Sequence, residues 1–229
     1  AWQGAERRGL RRFGVPPGGP MDDHAAARAN RLVADEPNAS LRELLWGGQR
    51  LEVLQDGCIA ITGAPVKTSL PLWRAISVKA GQVIEFAPGA SGVWIYVAVG
   101  KAGLATRATP WREVRDYAAP PALRVWNGPQ REMFSNAFFE QGWTMTPQSN
   151  RVGYRLAGEP LQFEQRELLS EPVRVGTIQV PENGLPIVTM RDGPTVGGYP
   201  KLGMVDPADI SWLAQCRPGQ QIRFIPLNK

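Results

Sequence analysis

Histidine and cysteine are nearly missing from this chain: His24, Cys58 and Cys216 are the only examples in 229 residues. One histidine excludes His-pair metal motifs such as H-E-x-x-H, and any Ser-His-Asp triad would have to run through His24. His24 follows Asp22-Asp23 at the start of a predicted helix, a place that reads as surface rather than as a general base. Neither cysteine belongs to a C-x-x-C pair, and two cannot staple a domain of this size. They read as reduced, buried thiols of a cytoplasmic protein. Lysine is scarce as well, with 21 of the 26 basic residues being arginine and a formal net charge of +5. The one dense basic cluster is Arg7, Arg8, Arg11 and Arg12; elsewhere bases alternate with acids, which argues against a nucleic-acid stripe. No apolar run approaches the roughly 20 residues of a membrane helix. Residues 1–8 carry no signal-peptide pattern.

Turn formers are abundant instead. The 25 glycines and 21 prolines together make about a fifth of the chain, against an average nearer 12%. That leaves little room for long helices and predicts a mainly β protein with a few short ones. Gly14-Val15-Pro16-Pro17-Gly18-Gly19-Pro20-Met21 is a rigid loop that can be neither helix nor central strand. Asp22 then caps a predicted helix over 23–33. Predicted hairpins follow at 51–54 with 58–61 and at 75–78 with 83–86, and 93–99 reads as a strand buried on both faces. Periodicity dissolves over 100–121, read as loop or linker and as the place of a subdomain break within a single 1–229 domain. Beyond it come strand-like pieces at 123–126, 173–175, 185–190 and 221–225, a short helix around 132–141 and another over 208–215 capped by Asp206.

Two stretches repeat. Residues 79–88 (KAGQVIEFAP) resemble 217–226 (RPGQQIRFIP), and Gly14, Pro16, Gly19 and Asp22 recur as Gly198, Pro200, Gly203 and Asp206 at the same spacing. This predicts two related β-rich halves.

Three constellations can carry chemistry. Residues 190–203 (MRDGPTVGGYPKLG) combine Arg191 and Lys201 with Asp192, Thr195 and Tyr199 among glycines that let backbone N–H groups approach a ligand, including Gly197 and Gly198. Such a set can bind a carboxylate, carbamoyl or phosphate group and stabilise an oxyanion; it is equally readable as a turn-rich connector, and it is not a Walker loop. Asn150 and Arg151, beside Gly153, present amide and guanidinium donors suited to a planar, oxygen-rich group, although spacing alone favours a polar turn. The 14–22 loop positions Asp22, with Asn30 further along the helix, and by pattern it reads as a helix cap. No metal-ligand, paired-carboxylate or nucleophile-elbow spacing occurs.

Taken together, Gly14–Asp22 with Ala29-Asn30, the run 149–156 (SNRVGYRL), 168–173 (LLSEPV), 176–181 (GTIQVP), Gly184-Leu185-Pro186 and 192–201 (DGPTVGGYPK) resemble the KipA / allophanate hydrolase subunit 2 family, also described as the biotin-dependent carboxyltransferase A/B-type domain. Within it the chain is most similar to 5-oxoprolinase subunits of the C type. Departures from the family pattern are Gln3-Gly4-Ala5-Glu6-Arg7 near the start, Ala34-Asp35 after the first helix, and a reduced Gly/Ser/Arg-rich loop at 101–107.

The resemblance implies a cyclophilin-like β-barrel architecture and two partner subunits, one KipI-like (the B type) and one LamB/YcsF-like (the A type). It also implies ATP as co-substrate of the assembly, with no metal in this chain, no nucleic acid and no membrane. The implied activity is ATP-dependent opening of 5-oxo-L-proline to L-glutamate. The alternatives are carboxyl transfer to urea-like amides with biotin supplied by another chain, and a non-catalytic KipA-type antagonism of a kinase inhibitor. On that basis Asp192, Arg191 and Lys201 are the expected catalytic residues. Asn150, Arg151, Thr195, Gly197, Gly198, Tyr199, Asp22 and Asn30 are the expected substrate-binding ones. Arg191 and Lys201 would hold anionic oxygens, and Asp192 would orient them or move a proton.

Overall fold

The structure, a computed structural model, describes residues 1–100 and 114–227. The reduced loop expected at 101–107 lies outside the described residues, as does part of the 100–121 linker; residues 114–122 carry no strand or helix. Two compact units are present, one formed by 1–5 and 22–119, the other by 6–21 and 120–229. Both are mainly β with short helices, the class expected.

In the first unit, β1 (Trp2–Gln3), β2 (Leu41–Leu45), β4 (Gly57–Gly63), β5 (Ala75–Val78) and β7 (Trp94–Gly100) form an antiparallel sheet in the order β1-β2-β7-β4-β5. Strand β7 is central and its Trp94–Ala98 stretch is buried, which explains why it reads as a continuous apolar run rather than an alternating one. Helix α1 (Asp23–Leu32) packs on β4 and β7 through Ala25, Ala26 and Ala29. Their small side chains bring its backbone close enough for the Thr62 hydroxyl to donate to the Ala25 carbonyl at 2.7 Å. The core joins Ile59, Ile61, Ile84, Phe86, Ile95 and Val97.

Both predicted hairpins require correction. The strands exist, but β3 (Gln49–Glu52) pairs with β6 (Val83–Phe86), while β4 pairs with β5. The 79–82 turn does not fold its flanking strands onto each other. Val53 donates to the Gln82 carbonyl and Gly81 to the Val53 carbonyl, so the turn docks on the end of β3 and carries the chain from one sheet to the other. The same turn recurs at 217–220. Gly81 and Gly219 both have left-handed φ, 82° and 84°. Each turn closes through a glutamine side chain, Gln82 Oε1 accepting from Lys79 N and Gln220 Oε1 from Arg217 N. Each docks through its glycine N–H, on Val53 O at 2.8 Å and Met145 O at 2.7 Å. For this turn the repeat in the sequence is therefore a repeat of structure; the match of Gly14 and Gly19 to Gly198 and Gly203 is not, since the first two have left-handed φ and the second two do not.

The second unit contains β8 (Leu123–Asn127), α2 (Ala137–Glu140), β9 (Trp143–Met145), β10 (Gly153–Ala157), β11 (Glu171–Pro172), β12 (Thr177–Gln179), β13 (Ile187–Thr189), β14 (Val196–Gly197), β15 (Lys201–Val205), α3 (Ile210–Ala214), β16 (Gln221–Ile222) and β17 (Phe224–Pro226). Eight strands run β16-β9-β10-β13-β12-β15-β8-β17 in a nearly closed sheet, and β11 pairs with β14. The helix expected over 132–141 is broken into a 3-10 turn at Arg131–Met133 and α2, because Phe134 is extended between them and the Arg131 guanidinium bonds Phe134 O and the Asn136 side chain instead. The strand expected at 173–175 lies two residues earlier, as β11, and the final one is split at Arg223 between two partners, β9 and β8. The rings of Phe138, Trp143 and Phe224 stack with centroids 4.9 to 5.5 Å apart, and Trp143 Nε1 donates to Phe138 O at 2.9 Å. Rings buried in this way contribute roughly 3 kcal/mol each.

Cys58 and Cys216 are both buried and reduced. Burial pushes the Cys216 thiol up to about 12 and raises Cys58 too. Neither thiolate is populated near neutral pH. Iodoacetamide at pH 8 is expected to leave both unmodified in the folded protein and to alkylate both in guanidinium, as read by intact mass; labelling of Cys216 in the native state would contradict its assigned burial.

Candidate functional site

The residues singled out in the sequence fall into three groups. In the first unit, Asp22 is completely buried and caps α1, its Oδ1 accepting from Ala25 N at 2.9 Å. Its Oδ2 accepts from the Tyr117 hydroxyl at 2.8 Å, and its own N–H donates to Tyr96 Oη at 2.7 Å. Tyr96 in turn donates to Glu43 Oε2 at 2.9 Å. Burial first, then the Glu43 and Asp22 carboxylates, hold the Tyr96 phenol well above its ordinary range, so it stays a donor. Asn30 is buried and gives its amide to Pro37 O and Ala39 O, fastening the chain after the helix. His24 is half-buried, its ring centroid 6.4 Å from that of Trp73, rather than on the surface.

The second group, in the other unit, surrounds the Gly18-Gly19 turn of the Pro-Gly loop. Arg151 precedes β10 and grips Asp192 with two nitrogens, Nε at 2.6 Å and Nη2 at 3.1 Å, while Nη2 also donates to Gly19 O at 2.9 Å. The two segments are zipped by backbone as well, Asp192 N donating to Arg151 O at 2.8 Å. Arg191 accepts from Gly18 N through its carbonyl, and its guanidinium, only 6% exposed, bonds Glu6. Arg151 and Arg191 therefore share one neighbourhood, as the sequence led us to expect. Asn150 stands beside them, but its side-chain oxygen accepts from Val152 N and Gly153 N and so builds the turn that presents Arg151.

The third group lies on the β11–β14 ribbon. Lys201 is 4% exposed, and its ammonium donates to Glu171 Oε2 at 3.2 Å, Gly197 O at 3.1 Å and Tyr199 O at 3.4 Å. Three donations account for the three ammonium hydrogens. Gln130 completes the cluster, accepting from Lys201 N and donating to Glu171. These two donors hold the Glu171 carboxyl below its ordinary value. Thr195 is buried and its carbonyl accepts from Val173 N; Gly198 and Tyr199 are exposed at the ribbon end. Glu6, Gln130 and Glu171 are the functional-looking residues that the sequence did not single out. Glu171 lay inside the 168–173 stretch and Glu6 inside the 3–7 departure from the family pattern, while Gln130 lay in no stretch that had drawn attention.

Among the described residues no three His, Cys, Asp or Glu side chains gather as metal ligands, and no helix is long and apolar enough to cross a membrane. The chemistry on offer is arginine-based, with fixed guanidinium forks flanked by carboxylates and glycine backbone, suited to oxygen-rich planar or tetrahedral groups.

The chain is 32% identical to the C-type subunit of 5-oxoprolinase from Escherichia coli (strain K12), over 97% of this chain and 86% of that protein. It is equally similar, at 32%, to the counterpart from Haemophilus influenzae, over 95% of this chain and 85% of that protein. The solved structure of TTHA0988 superposes with a TM-score of 0.85 at 28% identity, over 98% of this chain and 53% of that one, so this chain spans about half of it. The urea amidolyase of Kluyveromyces lactis shares the fold, with a TM-score of 0.85 over 99% of this chain and 18% of its own. The carboxyltransferase-domain family, subdomain A and B, matches at residues 13–109 and 102–226. The chain belongs to that carboxyltransferase A/B family.

Proposed function

We propose that this chain is the C-type subunit of an ATP-dependent 5-oxoprolinase, opening 5-oxo-L-proline to L-glutamate together with a KipI-like and a LamB/YcsF-like subunit in the cytoplasm. The observation that carries this reading is the Arg151–Asp192 fork on Gly19, built from segments in which the chain is similar to 5-oxoprolinase subunits over nearly its full length. Hydrolysis of an unstrained lactam needs its carbonyl activated, and ATP supplies that drive as co-substrate. The part given to this chain is positioning. The Arg151 guanidinium, its plane fixed by Asp192 and Gly19, and Arg191, held by Glu6, orient the carboxylate or the lactam oxygen and favour the charge that develops there. Asp192 keeps the fork in register. Lys201, with Glu171 and Gln130, holds the 196–200 strand end that presents Gly197, Gly198 and Tyr199, and Thr195 anchors its other end.

A second reading, carboxyl transfer to a urea-like amide, draws on the shared fold and on 24% identity to the urea amidolyase of Saccharomyces cerevisiae, of which this chain covers 16%. Biotin would come from another polypeptide. One experiment separates them. The chain, purified with its co-encoded subunits, is expected to release glutamate from 5-oxoproline only when ATP is present. Carboxylation of urea by a biotinylated partner, with no glutamate release, would replace the first reading by the second. Tight association with neither activity would leave the regulatory role.

A further inference from the structure

Gln179 has no part in the reading above, yet it sits between the second and third groups. In β12, Ile178 pairs with Val188 of β13, and both side chains are fully buried in the core. Alternation along the strands turns Gln179 and Thr189 to the opposite face. There the Gln179 amide is fixed, its Nε2 donating to Thr189 Oγ1 at 3.0 Å. The glycine-rich 190–203 run packs over this pair. A Cβ at Gly193 would stand 2.4 Å from Thr189 Cγ2 and 2.7 Å from Val152 O, and one at Gly197 would stand 2.5 Å from Gln179 Oε1. Gly193 follows Asp192, whose N–H bonds Arg151 O, and Gly197 O accepts from the Lys201 ammonium. One unbroken row of contacts therefore leads from the arginine fork through Thr189 and Gln179 to the lysine cluster.

Gln179 is only 6% exposed, so a polar atom left unanswered on it is costly. Its Oε1 is such an atom: it has no donor among the described residues, and it is not sealed from solvent. The carboxylates of the site are committed elsewhere. Asp192 holds Arg151, Glu6 holds Arg191, and Glu171 holds Lys201 and Gln130. Arginine forks serve only the oxygens of a ligand. A lactam N–H beside them needs an acceptor, and Gln179 Oε1 has that capacity. We propose that Gln179 is a further substrate-binding residue, accepting a hydrogen bond from the amide N–H of the substrate. The inference rests on the 5-oxoproline reading for the identity of that amide. A neutral carbonyl matches a neutral N–H, whereas a carboxylate in its place would also grip the ammonium of the opened product.

The test is titration calorimetry on the chain purified with its co-encoded subunits, with a non-hydrolysable ATP analogue present. The ligands are 5-oxoproline and its lactone counterpart, which has a ring oxygen in place of the N–H. The parent is expected to bind the lactam about tenfold more tightly than the lactone, the scale of one shielded hydrogen bond. Gln179→Met is expected to bring the two affinities to within about twofold by weakening the lactam alone, since only the lactam uses the lost acceptor. Gly197→Ala carries the test where Gln179→Met fails to fold, as judged by circular dichroism. Its new methyl meets only the end of the Gln179 side chain and a Val173 methyl, at 2.5 and 3.0 Å, so it displaces the amide at little cost to the backbone. Equal affinities in the parent, no binding of either ligand, or a preference kept by a folded Gln179→Met chain (or by Gly197→Ala in its stead) would each overturn the proposal. Glutamate release with ATP judges the enzymatic reading separately. Release without a lactam preference overturns the Gln179 assignment alone, while a preference that Gln179→Met abolishes, in a complex releasing no glutamate, overturns the reaction and supports amide recognition.

Discussion

Replacing Arg151 with Ala is expected to cut ATP-dependent turnover of 5-oxoproline by the reconstituted complex about a hundredfold, the scale on which removing one fixed donor to a developing oxyanion acts. The reason lies in what Arg151 touches. Its fork spans both Asp192 oxygens and the Gly19 carbonyl, so its loss releases three segments that are far apart in the chain. Charge-assisted bonds are worth roughly 1.5–3 kcal/mol when shielded, but the Asp192 side chain is 36% exposed and solvent screening reduces this to about 1–2 kcal/mol. A fall in Tm of about 2–8 °C follows for a chain of this size. Arg151→Lys separates the two contributions, since it keeps the charge and loses the bidentate geometry. It is expected to regain most of the melting temperature and little of kcat/KM. An Arg151→Ala complex with turnover within threefold of the parent would remove Arg151 from the site, whatever its effect on stability.

What the sequence made legible is what depends on near neighbours. The α1 helix follows from Asp22 and an alanine stripe, β7 from an unbroken apolar run, and the two Gly-Gln turns from a repeated tetrapeptide. Partner choice was not legible. The β3 and β4 strands sit on either side of a short turn yet go to different sheets, because the 79–82 turn docks on β3 and delivers β6 to it, and no local signal encodes that docking. The site shows the same division. Arg151, Arg191, Asp192 and Lys201 stand out by residue type, but what each one holds comes from elsewhere in the chain: Glu6 is 185 residues from Arg191, Gln130 is 71 from Lys201, and Gly19 is 132 from Arg151. Asn150 and Lys201 have the side chains of ligand-binding residues, and the structure uses the Asn150 side-chain oxygen, as acceptor, and the Lys201 ammonium, as donor, to build a turn and a strand end. A donor-rich stretch thus shows where polar groups gather without showing which of them remain for a ligand.

Glycines sharpen that distinction, and Gly128→Ala is expected to be the most damaging single change among those considered. Gly128 follows β8 and crosses the backbone of β15, donating to Leu202 O at 3.0 Å. A Cβ there would stand 2.2 Å from Lys201 O, 2.8 Å from Gly203 N and 2.9 Å from Leu202 C. All three are backbone atoms, so no flexible side chain can yield, and the crossing must open. Opening it breaks the Gly128–Leu202 bond, the Gln130 N to Lys201 O bond and the Lys201 N to Gln130 Oε1 bond, which also loosens Gln130 from Glu171. Overpacking costs about 1–3 kcal/mol and each lost bond about 1 kcal/mol, which together exceed roughly 3 kcal/mol in a protein whose whole stability is on the order of 5–15 kcal/mol. A fall in Tm of about 10 °C or more, or failure to accumulate folded protein, is the expected result. Gly198→Ala is the matched control from the glycine-rich 190–203 run. Its Cβ would meet Ser170 Oγ at 3.5 Å and Leu168 O at 3.8 Å, ordinary contacts, so stability should stay within about 0.5 kcal/mol. If Gly198→Ala melts normally but slows turnover of the complex, that glycine serves close approach of a ligand; if turnover is also unchanged, it serves the bend alone. A Gly128→Ala protein melting within 2 °C of the parent would mean, on the roughly 2–4 °C per kcal/mol scale of a chain this long, that the crossing of β15 has slack and that the Lys201 cluster does not depend on it.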